Sequence, residues 1–144
     1  LEKQLQEDGV KGKSLEIKGS VTPSAGTEKI TLRVLSNETT RTDIIYNVVS
    51  SEITLDRSAS GDIDFHPVYL DNLIVTRTDV PLKDGQLKLR VFVDHSIIEI
   101  YLQDGEYAYT WQAFAPEGSD EVHVLYSGED AIADLSFYEI SSTW

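Results

Sequence analysis

The chain contains no cysteine, which excludes disulfide frameworks, thiolate metal sites and cysteine nucleophiles together. It contains no methionine, not even at position 1, and no signal-peptide succession of basic, apolar and small residues. The expectation is a piece of a longer precursor. Basic residues are scarce: twelve Lys and Arg stand against twenty-five Asp and Glu, a formal charge of −13. Such a surface repels phosphate backbones and anionic lipid, so nucleic acid and membranes are poor partners. No apolar run approaches the ~20 residues needed to cross a bilayer. No helical apolar period extends beyond one turn. Metal-ligand spacing, phosphate-cradling glycine loops and strand-to-helix serine elbows are all missing from the sequence, so neither a metal nor a cofactor is expected.

What is present is alternation. Leu87, Leu89, Val91 and Val93 alternate with Lys88, Arg90, Phe92 and Asp94, the period of a strand with one face on a core. Asp94-His95-Ser96 interrupts the pattern, Ile98, Ile100 and Leu102 resume it, and Asp104-Gly105 suits a tight hairpin turn. Tyr107, Tyr109 and Trp111 run back along the partner strand. The stretch from Lys88 to Phe114 therefore predicts an antiparallel meander. Similar alternation over Ser14–Thr22, Lys29–Leu35, Ile44–Val49, Ile53–Leu55, Leu73–Thr78, Val122–Tyr126 and Ile132–Ile140 brings the count to about ten strands at spacings of roughly 8 to 12 residues. The fold class is all-β, a two-sheet antiparallel β-sandwich of jelly-roll or concanavalin-like type. At 144 residues one domain buries close to ~70% of its extended surface. Residues 1–13 read as a connector, with a short helical turn near Leu1–Leu5, and 14–144 as the sandwich domain. The longest stretch without alternation runs from Asp56 to about Leu70.

Several residue groups invite a chemical reading. Glycoside hydrolysis needs two carboxyl groups ~5 to 9.5 Å apart, and Asp62 and Asp64, with Asp56 and Glu99, are the pairs to test. Among twenty-five acids, close pairs on a solvent face are the more economical explanation. His66, His95 and His123 are far apart in sequence and read as surface or turn residues. Sugar recognition needs flat apolar area together with charged hydrogen-bonding groups. Asp56, Arg57, His66, Asp94, His95 and Trp111 are the carbohydrate-binding candidates, with Tyr107 and Tyr109 beside Trp111; alternate aromatics on a strand serve equally as core packing. Asn37-Glu38-Thr39 is a glycosylation sequon in a turn, which makes Asn37 a modification candidate and hints at the secretory route.

The run Leu89-Arg90-Val91-Phe92-Val93-Asp94-His95-Ser96-Ile97-Ile98-Glu99-Ile100-Tyr101, followed by Asp104-Gly105-Glu106, resembles the C-terminal β-sandwich of glycoside hydrolase family 32. That family contains the invertases, inulinases, levanases and related fructosyltransferases. Leu55-Asp56-Arg57-Ser58 with Ser60-Gly61-Asp62 resembles a second segment of the same module, and Pro81-Leu82-Lys83-Asp84-Gly85 stands at its connecting turn. The agreement extends over about Ser14 to Ile140. The resemblance implies a secreted parent enzyme acting on sucrose or fructans, in which this module packs against a five-bladed propeller catalytic domain. The family's Asn-Asp-Pro, Arg-Asp-Pro and Glu-Cys catalytic motifs do not occur here, so the chain alone is expected to be silent. The module also mediates dimerisation in some members, so a homodimer is a further expectation. A second reading is a fructan-binding module similar to carbohydrate-binding family 66, with fructose-containing oligosaccharides as ligands. A third is a lectin-like adhesion sandwich unrelated to fructans.

Overall fold

Successive side chains leave an extended backbone on opposite sides, so an alternating sequence settles as a strand with one face in a core. The computed structural model describes residues 2–5, 14–61, 72–116 and 118–139 of the chain. Within them lie β1 (Glu2–Leu5), β2 (Ser14–Thr22), β3 (Thr27–Ser36), β4 (Thr42–Asn47), β5 (Glu52–Asp56), β6 (Ile74–Arg77), β7 (Leu87–Asp94), β8 (Ile97–Leu102), β9 (Tyr107–Gln112), β10 (Glu121–Gly128) and β11 (Ile132–Glu139). They form two antiparallel sheets, one in the order β1-β10-β3-β4-β5-β6 and one in the order β11-β2-β7-β8-β9. The two-sheet sandwich is as the alternation predicts. The meander from Lys88 to Phe114 is present as β7-β8-β9, with Val91 opposite Ile100 and Ile100 opposite Tyr109.

The core lies between the sheets. Leu15, Ile17 and Val21 of β2, Val91 and Val93 of β7, and Ile98 and Ile100 of β8 meet Ile30, Leu32, Ile44, Ile53 and Leu55 from the other sheet. Each such buried aliphatic contributes roughly 1.5–3 kcal/mol. The void left between them is about 20 Å³, room for one water at most. Tyr46 crosses this interior with its hydroxyl donating to the Val80 carbonyl at 2.6 Å. Burial pushes its pKa up, because a phenolate there would lose its hydration.

Three local readings need correction. Glu2–Leu5 is a strand rather than a helical turn: it pairs with Ser127 to Val124 along the edge of β10, whose ladder groups outcompete the weak propensity of one isolated helical turn. β4 stops at Asn47 instead of reaching Val49, because the Asn47 side-chain carbonyl accepts from the amides of Val49 and Ser50 and bends the chain. The turn after β8 is wider than a two-residue hairpin. Leu102 pairs with Tyr107, and Gln103, Asp104 and Gly105 all have positive φ, 53, 59 and 88°. Gly105 takes this conformation without strain. The stretch from Asp56 to about Leu70, expected to lack alternation, falls largely outside the described residues.

Candidate functional site

Asp56 is the last ladder position of β5 and Arg57 follows it. The Asp56 carboxylate accepts from the Ser58 amide at 3.0 Å and the Ser58 hydroxyl at 2.6 Å, an Asx-type turn. Arg57 is only 8% exposed. Its Nε and Nη2 donate to the Asn72 carbonyl at 3.1 and 2.7 Å, and its Nη1 donates to the Gln112 carbonyl at 2.6 Å. Asn72 lies two residues before β6 and Gln112 ends β9, so one guanidinium joins the margins of the two sheets. Ser60 closes the corner by donating its hydroxyl to the Arg57 carbonyl at 2.6 Å.

The second polar turn reaches the same end of the sandwich. His95 takes φ 54° between β7 and β8, and its Nε2 lies 3.8 Å from the Asp94 carboxylate, both side chains largely exposed. Asp94 also accepts from the Ser14 hydroxyl at 3.0 Å. Ala113 donates its amide to the Ser96 carbonyl at 2.9 Å, next to the Gln112 carbonyl that receives Arg57. The structure thus gathers Arg57 and the Asp94–His95 turn around the end of β9. Trp111 belongs to the core there, stacked on Tyr109 with ring centres 5.4 Å apart and planes 2° from parallel. Its ring packs between sheets instead of offering a face to solvent. Asp62, Asp64 and His66 lie outside the described residues. Glu99 stands on β8 and Asp56 at the end of β5, in different sheets. His123, on β10, lies 3.1 Å from Glu121 and apart from the His95 turn.

Asn37 is a hub of its turn. Its side-chain carbonyl accepts from the amides and hydroxyls of Thr39 and Thr40 at 2.7–3.1 Å. Its Nδ2, the atom a glycan would occupy, donates to the Ser119 hydroxyl at 3.1 Å.

Two features escape the alternation argument. Gln103 is 1% exposed and fully satisfied: its carbonyl accepts from the Lys88 amide, and its amide donates to the carbonyls of Pro81 and Gln86. It ties the connection between β6 and β7 to the meander; the only signal in the sequence is a polar residue where the apolar period ends. The other feature is a groove of about 660 Å³ on the outer face of the five-stranded sheet, lined by Lys18, Lys88, Arg90, Phe92, Tyr101 and Asp104, among others. Phe92 and Tyr101 meet edge-on with ring centres 6.1 Å apart. The Arg90 guanidinium lies 4.8 Å from the centre of the Phe92 ring and 2.6 Å from Glu16. The neighbouring Glu99 carboxylate raises the Tyr101 pKa, holding the hydroxyl protonated as a donor to Glu99 at 3.2 Å. Alternation assigns these side chains to solvent, and only the three-dimensional arrangement brings them together around a concavity.

Residues 1–139 match the model of the C-terminal domain of glycosyl hydrolases family 32. The chain belongs to family 32. Its module is the non-catalytic C-terminal sandwich of these enzymes. The chain is 33% identical to the extracellular exo-inulinase of Aspergillus awamori over 135 residues, covering 90% of this chain and 24% of that protein. It is 28% identical to the levanase of Bacillus subtilis, over 94% of this chain and 20% of that protein. Thus the family 32 module spans about a quarter or less of curated relatives such as these. The crystal structure of the A. awamori exo-inulinase superposes with a TM-score of 0.76 at 25% identity, covering 99% of this chain and 27% of that one. The fructan 1-exohydrolase IIa of Cichorium intybus shares the fold at a TM-score of 0.73 and 12% identity, over 96% of this chain and 33% of that one.

Proposed function

We propose that this sandwich supports the catalytic domain of an extracellular enzyme that releases fructose from fructans or sucrose. The observation that carries the reading is the C-terminal family match over residues 1–139, in relatives of which the chain covers only about 24%. The names of those relatives, exo-inulinase and levanase, supply the substrate class, and the extracellular description of the fungal ones supplies the location. The module's own chemistry agrees. Its most buried charged group among the proposed site residues, Arg57, is spent on backbone carbonyls, which suits a rigid support better than a reaction centre. Fructose-containing oligosaccharides are proposed as ligands of the parent enzyme, and the catalytic domain as the module's partner.

The test is complementation. Catalytic domain produced separately from the same polypeptide is mixed with this chain, and thermal melting and fructose release from inulin and sucrose are followed. The expected result is a higher melting temperature and longer-lived activity in the mixture, with no fructose released by the sandwich alone. A sandwich that neither binds nor protects the catalytic domain would overturn the reading, as would hydrolysis by the purified sandwich.

A further inference from the structure

The outer face of the five-stranded sheet carries side chains that a solvated surface does not need. Its rows are set by strand register: Glu16, Phe92 and Glu99 align across β2, β7 and β8, and Lys18, Arg90 and Tyr101 align in the row beside them. Two aromatic rings therefore lie next to each other on a face that points away from the core. They are held in place, Phe92 by the ring of Tyr101 and the guanidinium of Arg90, and Arg90 by Glu16. Lys88 is drawn to Asp104, 3.4 Å away at the rim. The resulting concavity, about 660 Å³, falls within the size range of small-ligand sites.

The charges select the ligand. The chain as a whole carries −13, yet three cations, Lys18, Lys88 and Arg90, stand here beside three carboxylates, Glu16, Glu99 and Asp104. An anionic ligand would meet the carboxylates and a cationic one the lysines. A neutral molecule rich in hydroxyls suits both, because each hydroxyl donates to a carboxylate and accepts from an ammonium or guanidinium. The C–H faces of a sugar ring can lie against aromatic rings, and Phe92 and Tyr101 both line the groove. We infer that the groove across β2, β7 and β8 is a binding site for a neutral oligosaccharide, with Phe92 and Tyr101 as its aromatic contacts and Arg90, Glu16 and Lys18 as hydroxyl partners. This goes beyond the supporting role proposed above and stands or falls separately from it, since a support needs no sugar site.

The experiment is affinity electrophoresis of the 144-residue chain in native gels containing inulin, levan, soluble starch or polygalacturonate, with amide chemical shifts followed by NMR on adding inulin oligosaccharides. At least one neutral glycan is expected to retard the chain. Tyr101→Ala should weaken that retention about tenfold, and Phe92→Ala similarly, as loss of an aromatic contact does. Tyr101→Phe should retain most of it. Shift changes should centre on Lys18, Arg90 and Tyr101, a readout that needs no variant to fold. Retention by no neutral glycan overturns the inference, as does stronger retention by polygalacturonate, or shift changes confined to the Asp56–Ser60 and Asp94–Ser96 turns. If Tyr101→Ala instead lowers the melting temperature of the full-length enzyme and leaves glycan retention unchanged, the face is a domain interface and the inference fails.

Discussion

The Arg57 guanidinium donates in two directions at once, to Asn72 beside the margin of one sheet and to Gln112 at the end of the other. A planar fork with five N–H groups on three nitrogens reaches both carbonyls; an ammonium offers three donors from a single atom. Hydrogen bonds from a charged group are worth about 1.5–3 kcal/mol each, so Arg57→Ala should cost roughly 3 kcal/mol, read as a lower urea midpoint with an unchanged denaturant slope. Arg57→Lys should recover only part of that. A sugar-contacting Arg57 would behave otherwise: either substitution would leave stability nearly intact while weakening ligand binding. From sequence, Asp56-Arg57 offers the same two charges whether they face a ligand or a corner of the fold. Burial decides, and burial is invisible in a dipeptide. Gln103 makes the same point, for a polar residue after an apolar run reads as a loop until the carbonyls of Pro81 and Gln86 are found around its amide.

Strands were the most legible feature, because a period of two survives any amount of local irregularity. The faces follow from it. Ile100 of β8 is fully buried and Thr110 of β9 points outward and is exposed. Ile100→Ala should therefore cost roughly 2–5 kcal/mol, the void beside it measuring about 20 Å³, whereas Thr110→Ala should stay within about 0.5 kcal/mol. Thermal melts of the two variants check this, and equal losses would mean that the register of the meander is wrong. Ends were less legible than faces. β4 stops early because the Asn47 side chain captures two amides, and β1 exists because β10 presents a free edge. Neither cause lies in the local period.

Across the whole molecule, tyrosines report on packing. Burial is the largest cause raising Tyr46, Tyr109 and Tyr126 above the ordinary value of 10.0. The folded chain thus holds these protons more tightly than the unfolded one. Their contribution is fully present below about pH 10 and is lost as pH rises through the folded-state values. These tyrosines should lower the melting temperature above that point, with tyrosinate absorbance rising together with unfolding. Tyrosinate absorbance that rises fully before any loss of near-UV signal would count against buried hydroxyls. Sequence alone determined that the chain is all-β, two-layered and of family 32, because alternation and the Leu89–Tyr101 and Leu55–Asp62 segments are local patterns. It could not determine which polar residues are available to a ligand. Availability depends on what lies opposite, and in a sandwich the opposite residue comes from a strand dozens of positions away: Arg57 meets Gln112 and is consumed, while Lys18, Arg90 and Tyr101 stand in one row of their own sheet and line the open groove.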